Sequence, residues 1–176
     1  MKTVLVSGAS GIVGYGTLRS LRRAGMNLRL IGTSIYDDSI APAFCDTFEQ
    51  AIPTHDTAYL PWLLQTIRKH KVDLLIPGIE IDMYVWADHR LEIEATGARV
   101  LQNDAALIQL CKDKWAFFEH LAKAGLACVI DSSLNQDFES LRERFGLPFL
   151  LKPRRGFGSK GIVRVNSESE FAAHSA

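Results

Sequence analysis

The sequence shows no excess of charge of either sign. Twenty Lys and Arg residues are balanced by twenty Asp and Glu residues, so the formal net charge is +0 at pH 7. Nothing in this balance indicates a nucleic-acid or anionic-membrane partner. No apolar run approaches the ~20 residues that a membrane span needs. The start does not resemble a signal peptide, because its apolar run, Val4 to Val6, is followed at once by glycines.

Cysteine is also scarce. The three residues, Cys45, Cys111 and Cys128, form no CxxC pair and are odd in number. This pattern excludes a disulfide framework and a zinc site, and we expect reduced, mostly buried thiols in a cytoplasmic protein. The five histidines show no metal-ligand spacing either, so we expect no metal site within these residues.

What the sequence does contain is an alternation of short apolar runs and amphipathic segments over residues 1–102. Hydrophobic residues make up 47% of the 176 positions, enough for a sizeable core. The alternation predicts an α/β fold, in which a Rossmann-like parallel sheet is covered by helices on both faces. Strands are predicted over residues 3–7, 28–31, 48–52, 73–77 and 99–101, and helices from residue 12 and over 59–70 and 81–94.

The pattern changes after residue 102. Helices are predicted over residues 103–110, 114–124 and 135–145, with Asp113 capping the second. A strand over 148–153, a glycine-rich loop and a strand over 162–165 come next, and Ser167 opens a last helix. Because a two-stranded ribbon is marginal in isolation, residues 103–176 are predicted to form an incomplete α+β subdomain.

The first glycine motif runs from Gly8 to Gly14 with the spacing GxxGxxG. It resembles the turn of short-chain dehydrogenases, but their Tyr-xxx-Lys pair is absent, and Asp37 and Asp38 come too late after the second strand to bind a ribose. We therefore interpret the motif as a structural turn without a nicotinamide cofactor. An NAD(P)-dependent oxidoreductase remains the less favoured alternative.

A second motif runs from Lys152 to Gly161 and combines three glycines, four cations and a serine. Backbone N–H groups and a serine hydroxyl can surround phosphate oxygens while lysines neutralise their charge, although an exposed basic hairpin tip remains open. Arg154, Arg155 and Lys160 repel one another without an anion, so the loop is expected to be mobile. Lys114 lies in a first helical turn, where a cation is unfavourable, and this hints at an anion partner. Taken alone, however, the position favours an ordinary solvated lysine.

These segments together resemble the ATP-grasp superfamily, especially proteins similar to the carbamoyl-phosphate synthetase large subunit. The likeness is carried by Asp113-Lys114-x-x-Phe117, by Leu147-Pro-Phe-Leu-Leu-Lys152-Pro and by Gly156-Phe-Gly-Ser-Lys-Gly-Ile162. It implies a pre-ATP-grasp domain over residues 1–102 and the truncated N-terminal part of an ATP-grasp domain over residues 103–176.

The resemblance implies ATP-dependent joining of a small carboxylate to a small amine through an acyl phosphate. Lys114 and Lys152 would contact the ATP phosphates, and a mobile loop would close over them, formed by Gly156, Gly158, Ser159, Lys160 and Gly161. Its Mg²⁺ ligands would lie beyond residue 176, so the chain alone is expected to be inactive. Glu80 and Asp82 follow the strand predicted over residues 73–77, at the sheet edge where ligands tend to bind, although an acid pair at a helix start explains them about equally well. Glu80 is the weak candidate for a substrate contact. The protein could form a homodimer. The alternative that the chain is a non-catalytic binding or dimerisation module stays open.

Overall fold

The computed structural model describes residues 1–126 and 129–175. Its contacts divide the chain into two units, Met1–Ile108 and Gln109–Ala176. A domain boundary at residues 102 and 103 stays a prediction, and Cys128 lies outside the described residues. Within the described ranges, no helix is both long and apolar enough to cross a bilayer.

The first unit is built on five parallel strands in the order β3-β2-β1-β4-β5, which confirms the predicted Rossmann-like parallel sheet. At least one helix connects each strand to the next along the chain, as parallel pairing requires. The elements in chain order are β1 (Lys2–Val6), α1 (Ile12–Arg23), β2 (Leu28–Ser34), a 3-10 helix (Ala41–Phe44), β3 (Thr47–Gln50), α2 (Tyr59–His70), β4 (Leu74–Ile76), α3 (Glu80–Asp88), α4 (Arg90–Glu94), β5 (Arg99–Val100) and α5 (Ala105–Lys112).

Both faces of this sheet are covered. Successive side chains of a strand point to opposite faces, and β1 accordingly divides its residues between two cores. Val4 and Val6 pack in a cluster with Leu18 of α1. Leu5 packs in a second cluster with Leu63 of α2 and with side chains of α3 and α4. The predicted two-sided cover of helices is therefore confirmed.

Two expectations, one about a helix and one about the thiols, are wrong in detail. The helix expected over residues 81–94 is two helices, because the backbone of His89 leaves the helical region at φ −110° and ψ 22°. His89 Nδ1 lies 2.7 Å from the Glu92 carboxylate, so the side chain joins the start of α4. The thiols are less buried than expected: Cys45 is half-buried, and Cys111 is exposed on α5.

The second unit holds one antiparallel strand pair and a small aromatic core. Its elements are α6 (Lys114–Lys123), α7 (Phe138–Phe145), β6 (Phe149–Leu151), β7 (Val163–Val165) and α8 (Glu168–His174). Phe138, Phe149 and Phe171 meet with ring centroids 5.8–6.2 Å apart. The helix expected from residue 135 begins at Phe138, because the Asp137 side chain accepts the Ser140 N–H at 2.8 Å and caps it.

Candidate functional sites

The glycine loop (residues 152–161) leads from β6 towards β7 and is exposed along its whole length. Its backbone is unusual, since four residues adopt positive φ: Gly156, Gly158, Ser159 and Gly161. Successive N–H groups in such a conformation can converge on an anion. Lys152 and Lys160, near its two ends, are exposed, and neither forms an ion pair with any residue that the structure describes.

The base of the loop is held by Asp113, which also caps α6. Its carboxylate accepts the Trp115 and Ala116 N–H groups at 3.0 and 3.2 Å. It also accepts two hydrogen bonds from Arg154, from Nε at 3.1 Å and from an NH2 group at 2.6 Å. The Arg154 guanidinium and these N–H groups hold the pKa of Asp113 below its ordinary value. Arg154 is therefore paired, contrary to the expectation that it repels its neighbours.

Lys114 joins the glycine loop to the start of α6. Its backbone N–H donates to the Arg154 carbonyl at 2.9 Å, and its ammonium donates to the Gly156 carbonyl at 2.7 Å. These carbonyl oxygens give the ammonium a partner in a first helical turn, where a cation is otherwise unfavourable. Lys114 and Gly156 were both expected at one site, and the structure brings them into contact across 42 positions.

A close approach fixes the end of the loop. A Cβ on Gly161 would lie 2.8 Å from the Pro153 Cγ, and its φ is +74°. A larger residue would therefore meet both a clash and backbone strain, which explains the glycine at this position without a ligand.

A cleft of about 550 Å³ lies in the first unit, where β1, β2, β3 and β4 end. The carboxyl edge of a parallel sheet, where the connections of neighbouring strands diverge, is where α/β proteins commonly bind ligands. The lining combines glycine backbone, hydroxyl groups, two carboxylates and aliphatic side chains, and it includes Gly8, Gly11, Ser10, Ser34, Ser39, Thr54, Asp38, Asp82, Ile35, Ile79 and Ile81.

The first glycine motif borders this cleft and is required by packing. A Cβ on Gly14 would collide with the carbonyl oxygens of Gly8 and Ser7, and a Cβ on Gly8 would collide with the Ile79 side chain. The glycines thus allow the turn after β1 to contact the segment after β4. This accounts for the motif structurally, while the expected absence of a nicotinamide cofactor stays a prediction.

The chemistry of the cleft centres on Asp82, a buried residue of α3. Its Oδ1 accepts hydrogen bonds from the Tyr59 hydroxyl and from the Thr54 hydroxyl, each at 2.9 Å. The Tyr59 hydroxyl in turn accepts the Trp86 indole N–H at 2.9 Å. Burial, together with the Asp82 charge, raises the pKa of Tyr59. The predicted contact residue, Glu80, is exposed at the first position of α3, and Asp82 is the acidic residue of α3 that lines the cleft.

Comparison with known proteins identifies solved structures that have the same fold. No family model matches the chain. Over 104 residues it is 33% identical to the phosphoribosylaminoimidazole carboxylase of Ogataea methanolica, covering 56% of this chain and 18% of that protein. Among solved structures, N5-carboxyaminoimidazole ribonucleotide synthetase from Thermotoga maritima matches with a TM-score of 0.67 and 21% identity over 98% of this chain.

A biotin carboxylase domain, from the 2-oxoglutarate carboxylase of Hydrogenobacter thermophilus, matches 98% of this chain with a TM-score of 0.68 and 22% identity. At these identities the likeness establishes the shared fold alone, so the resemblance to the ATP-grasp superfamily and the closer similarity to carbamoyl-phosphate synthetase stay predictions. The chain spans 43% and 39% of the two solved chains. The second was solved as a dimer with ADP, magnesium and bicarbonate.

Proposed function

We propose that this chain is the N-terminal part of an ATP-dependent carboxylate–amine ligase, and that its glycine loop binds the phosphates of ATP. The proposal rests on two exposed lysines, Lys152 and Lys160, near the two ends of a loop with four positive φ angles. Neither lysine forms an ion pair with a residue in the described part of the chain. The ATP-grasp fold supports the same assignment, because ADP is bound in a solved relative.

The charges at the loop fit a polyphosphate. The charge of Arg154 is neutralised by Asp113, so Arg154 fixes the base of the loop and adds little to its net positive charge. Arg155 is 73% exposed, and its Nε lies 3.7 Å from the same carboxylate. Lys152, Lys160 and Arg155 therefore offer cations to an incoming anion, and charge-assisted bonds to phosphate are stronger than neutral ones. Lys114 would have to leave the Gly156 carbonyl before it could contact a phosphate.

When bound, ATP supplies a phosphoryl group that moves to the substrate carboxylate, giving an acyl phosphate and ADP, and the amine then displaces phosphate to form the new C–N bond. Lys152 and Lys160 would neutralise the phosphate charge, and closure of the glycine loop would exclude water. The described residues contain no group of three or more His, Cys, Asp or Glu side chains able to hold a metal. The proposal therefore includes Mg²⁺ but assigns none of its ligands to this chain.

A titration with ATP tests the phosphate site on the 176-residue chain. Amide NMR should show saturable shifts in the glycine loop and at the start of α6. Lys152→Ala should weaken the binding about tenfold, since one charge-assisted bond contributes at least about 1.5 kcal/mol. Lys123→Ala, which removes an exposed lysine at the far end of α6, is the matched control and should have no effect. Shifts confined to other regions, or equal losses in both variants, would contradict the proposal.

The same titration separates the alternatives. A non-catalytic binding or dimerisation module would give no nucleotide-dependent shifts in the glycine loop, and an oxidoreductase would place a bound cofactor at Gly8–Gly14. The ligase proposal includes a small carboxylate and a small amine as substrates. It also includes Glu80 as a residue that contacts a substrate. A homodimer is also proposed, by analogy with the dimeric biotin carboxylase domain. A cytoplasmic location stays a prediction.

A further inference from the structure

The contact between the glycine loop and the start of α6 carries an inference that rests on the proposed function. We propose that Asp113 is a positioning residue for the phosphate site: it orders the base of the glycine loop before a nucleotide arrives. Its carboxylate is negatively charged, so by charge alone it opposes the binding of a phosphate. If Asp113 acts by ordering the loop, it strengthens nucleotide binding although its charge acts against it.

Asp113 acts on two segments of the chain at once. It is a buried residue at the N-cap of α6, where its Oδ1 accepts the Trp115 and Ala116 N–H groups. The same carboxylate accepts two hydrogen bonds from Arg154 of the loop, at 3.1 and 2.6 Å. Two bonds from a planar guanidinium fix the orientation of the partners as well as their distance. The start of α6 therefore holds the loop near the point where it leaves β6.

Lys114 adds a second connection, to the backbone of the loop. Its N–H donates to the Arg154 carbonyl at 2.9 Å, and its ammonium donates to the Gly156 carbonyl at 2.7 Å. Gly156 has a φ of +128°, and a Cβ there would meet no atom within 4 Å. The glycine is therefore required by the backbone conformation in which its carbonyl meets Lys114, and not by lack of space. Arg154 and Gly156 are thus both held from the start of α6.

The tip of the loop, residues 157–160, is held less firmly than this base. The Lys160 N–H lies 3.4 Å from the Phe157 carbonyl oxygen, and the Ile162 N–H lies 3.4 Å from that of Ser159. Both distances are long for hydrogen bonds, and both bonds are local, so they do not tie the tip to another element. An incoming anion would then need to order only the tip, because the base is in place already.

Two effects of Asp113 on nucleotide binding have opposite signs. Glycine loses more entropy than other residues when it is ordered, so a loop base that is ordered beforehand favours binding. Against this, the carboxylate repels a phosphate and occupies the Arg154 guanidinium. At a site open to solvent, we expect this charge effect to change the affinity at most about fivefold. The ordering effect depends on several hydrogen bonds, two of them charge-assisted, and we expect it to be the larger one.

Two variants separate positioning from charge. Asp113→Asn keeps the shape and the helix cap but loses the ion pair, whereas Arg154→Lys keeps the charge but loses the pair of bonds. In an amide NMR titration with ATP, Arg154→Lys should weaken binding about tenfold. Asp113→Asn should weaken it about threefold, because the lost repulsion offsets part of the effect. If Asp113 acted only through its charge, Asp113→Asn would tighten binding and Arg154→Lys would leave it unchanged.

A second readout, the heteronuclear amide NOE of Arg155 and Gly156, reports on the order of the loop base without nucleotide. Both variants should lower it. Asp137→Asn is the matched control, because Asp137 caps α7 through the Ser140 N–H at 2.8 Å, and it should change neither the NOE nor the affinity.

The two readouts also distinguish this inference from the proposed function. Unchanged NOE values in Asp113→Asn, or tighter ATP binding by that variant, would overturn the positioning role and leave the proposed function in place. If the unchanged protein binds no ATP, the proposed function fails, and the NOE comparison still decides whether Asp113 orders the loop base.

Discussion

Replacing Tyr59 with Phe isolates the energetic importance of one buried hydroxyl. The ring is retained, so the packing of the cluster that contains Leu5 and Leu63 is preserved, but two hydrogen bonds disappear. The Trp86 indole N–H loses its acceptor inside the core, which costs about 1–3 kcal/mol. Asp82 loses one of its two donors, which costs about 1.5–3 kcal/mol. Because one hydroxyl serves both bonds, the losses do not add fully, and we expect a total near 3 kcal/mol.

The assay must report on the first unit alone, because two units need not unfold together. A Trp115→Phe background removes the single tryptophan of the second unit and leaves Trp62 and Trp86 as fluorescent probes of the first. Urea unfolding of Tyr59→Phe is then compared with Tyr36→Phe, in which an exposed hydroxyl is removed at a cost below about 0.5 kcal/mol. If the two variants lose the same stability, the buried network does not hold the first unit together.

Three further outcomes follow from the packing and the charges. Gly14→Ala should destabilise the first unit by about 3 kcal/mol in urea unfolding, while Gly16→Ala, whose Cβ meets open space, should stabilise it by about 0.5–1 kcal/mol. The backbone N–H of Leu30 holds the pKa of Asp46 below its ordinary 3.8, so the ionised carboxylate stabilises the folded state. This contribution to the free energy of unfolding is complete above pH 3.8 and is lost as the pH falls below that value. Asp46→Asn should therefore reduce the fall of the urea midpoint at acid pH. Asp113→Asn keeps a cap but loses the ion pair, so trypsin should cut the glycine loop faster than in the unchanged protein.

The elements with strong local signals were predictable. The helix over 59–70 has the bounds that its apolar spacing indicates, and β1, β2 and β4 lie where short apolar runs occur. The break at His89 was not predictable, because the apolar pattern continues through it and a single backbone conformation decides the outcome. The strand expected over 28–31 continues to Ser34, since β3 pairs with its last residues.

The residues of the candidate sites also fall into those that the sequence could predict and those that it could not. Lys114 and the glycine loop could be named from sequence because each is a compact local motif. The pairing of Arg154 with Asp113 spans 41 positions, and no local pattern encodes it. Asp82 was noticed only as one acid of a helix start, because its donors, Thr54 and Tyr59, precede it by 28 and 23 positions. Tyr59 and Trp86 are buried aromatic residues of helices, and their spacing in the sequence is the same as that of ordinary core residues. Their hydrogen bonds to each other and to Asp82 could therefore not be predicted.

Hydrogen exchange with and without ATP and Mg²⁺ tests the phosphate-binding assignment most directly, because it compares both glycine motifs in one sample. The account predicts slower exchange of the glycine loop and of the first turn of α6 when nucleotide is present, with no change at Gly8–Gly14. Protection at Gly8–Gly14 without protection of the glycine loop would place the nucleotide in the first unit and contradict the account. Unchanged exchange in both segments at saturating nucleotide would contradict it as well.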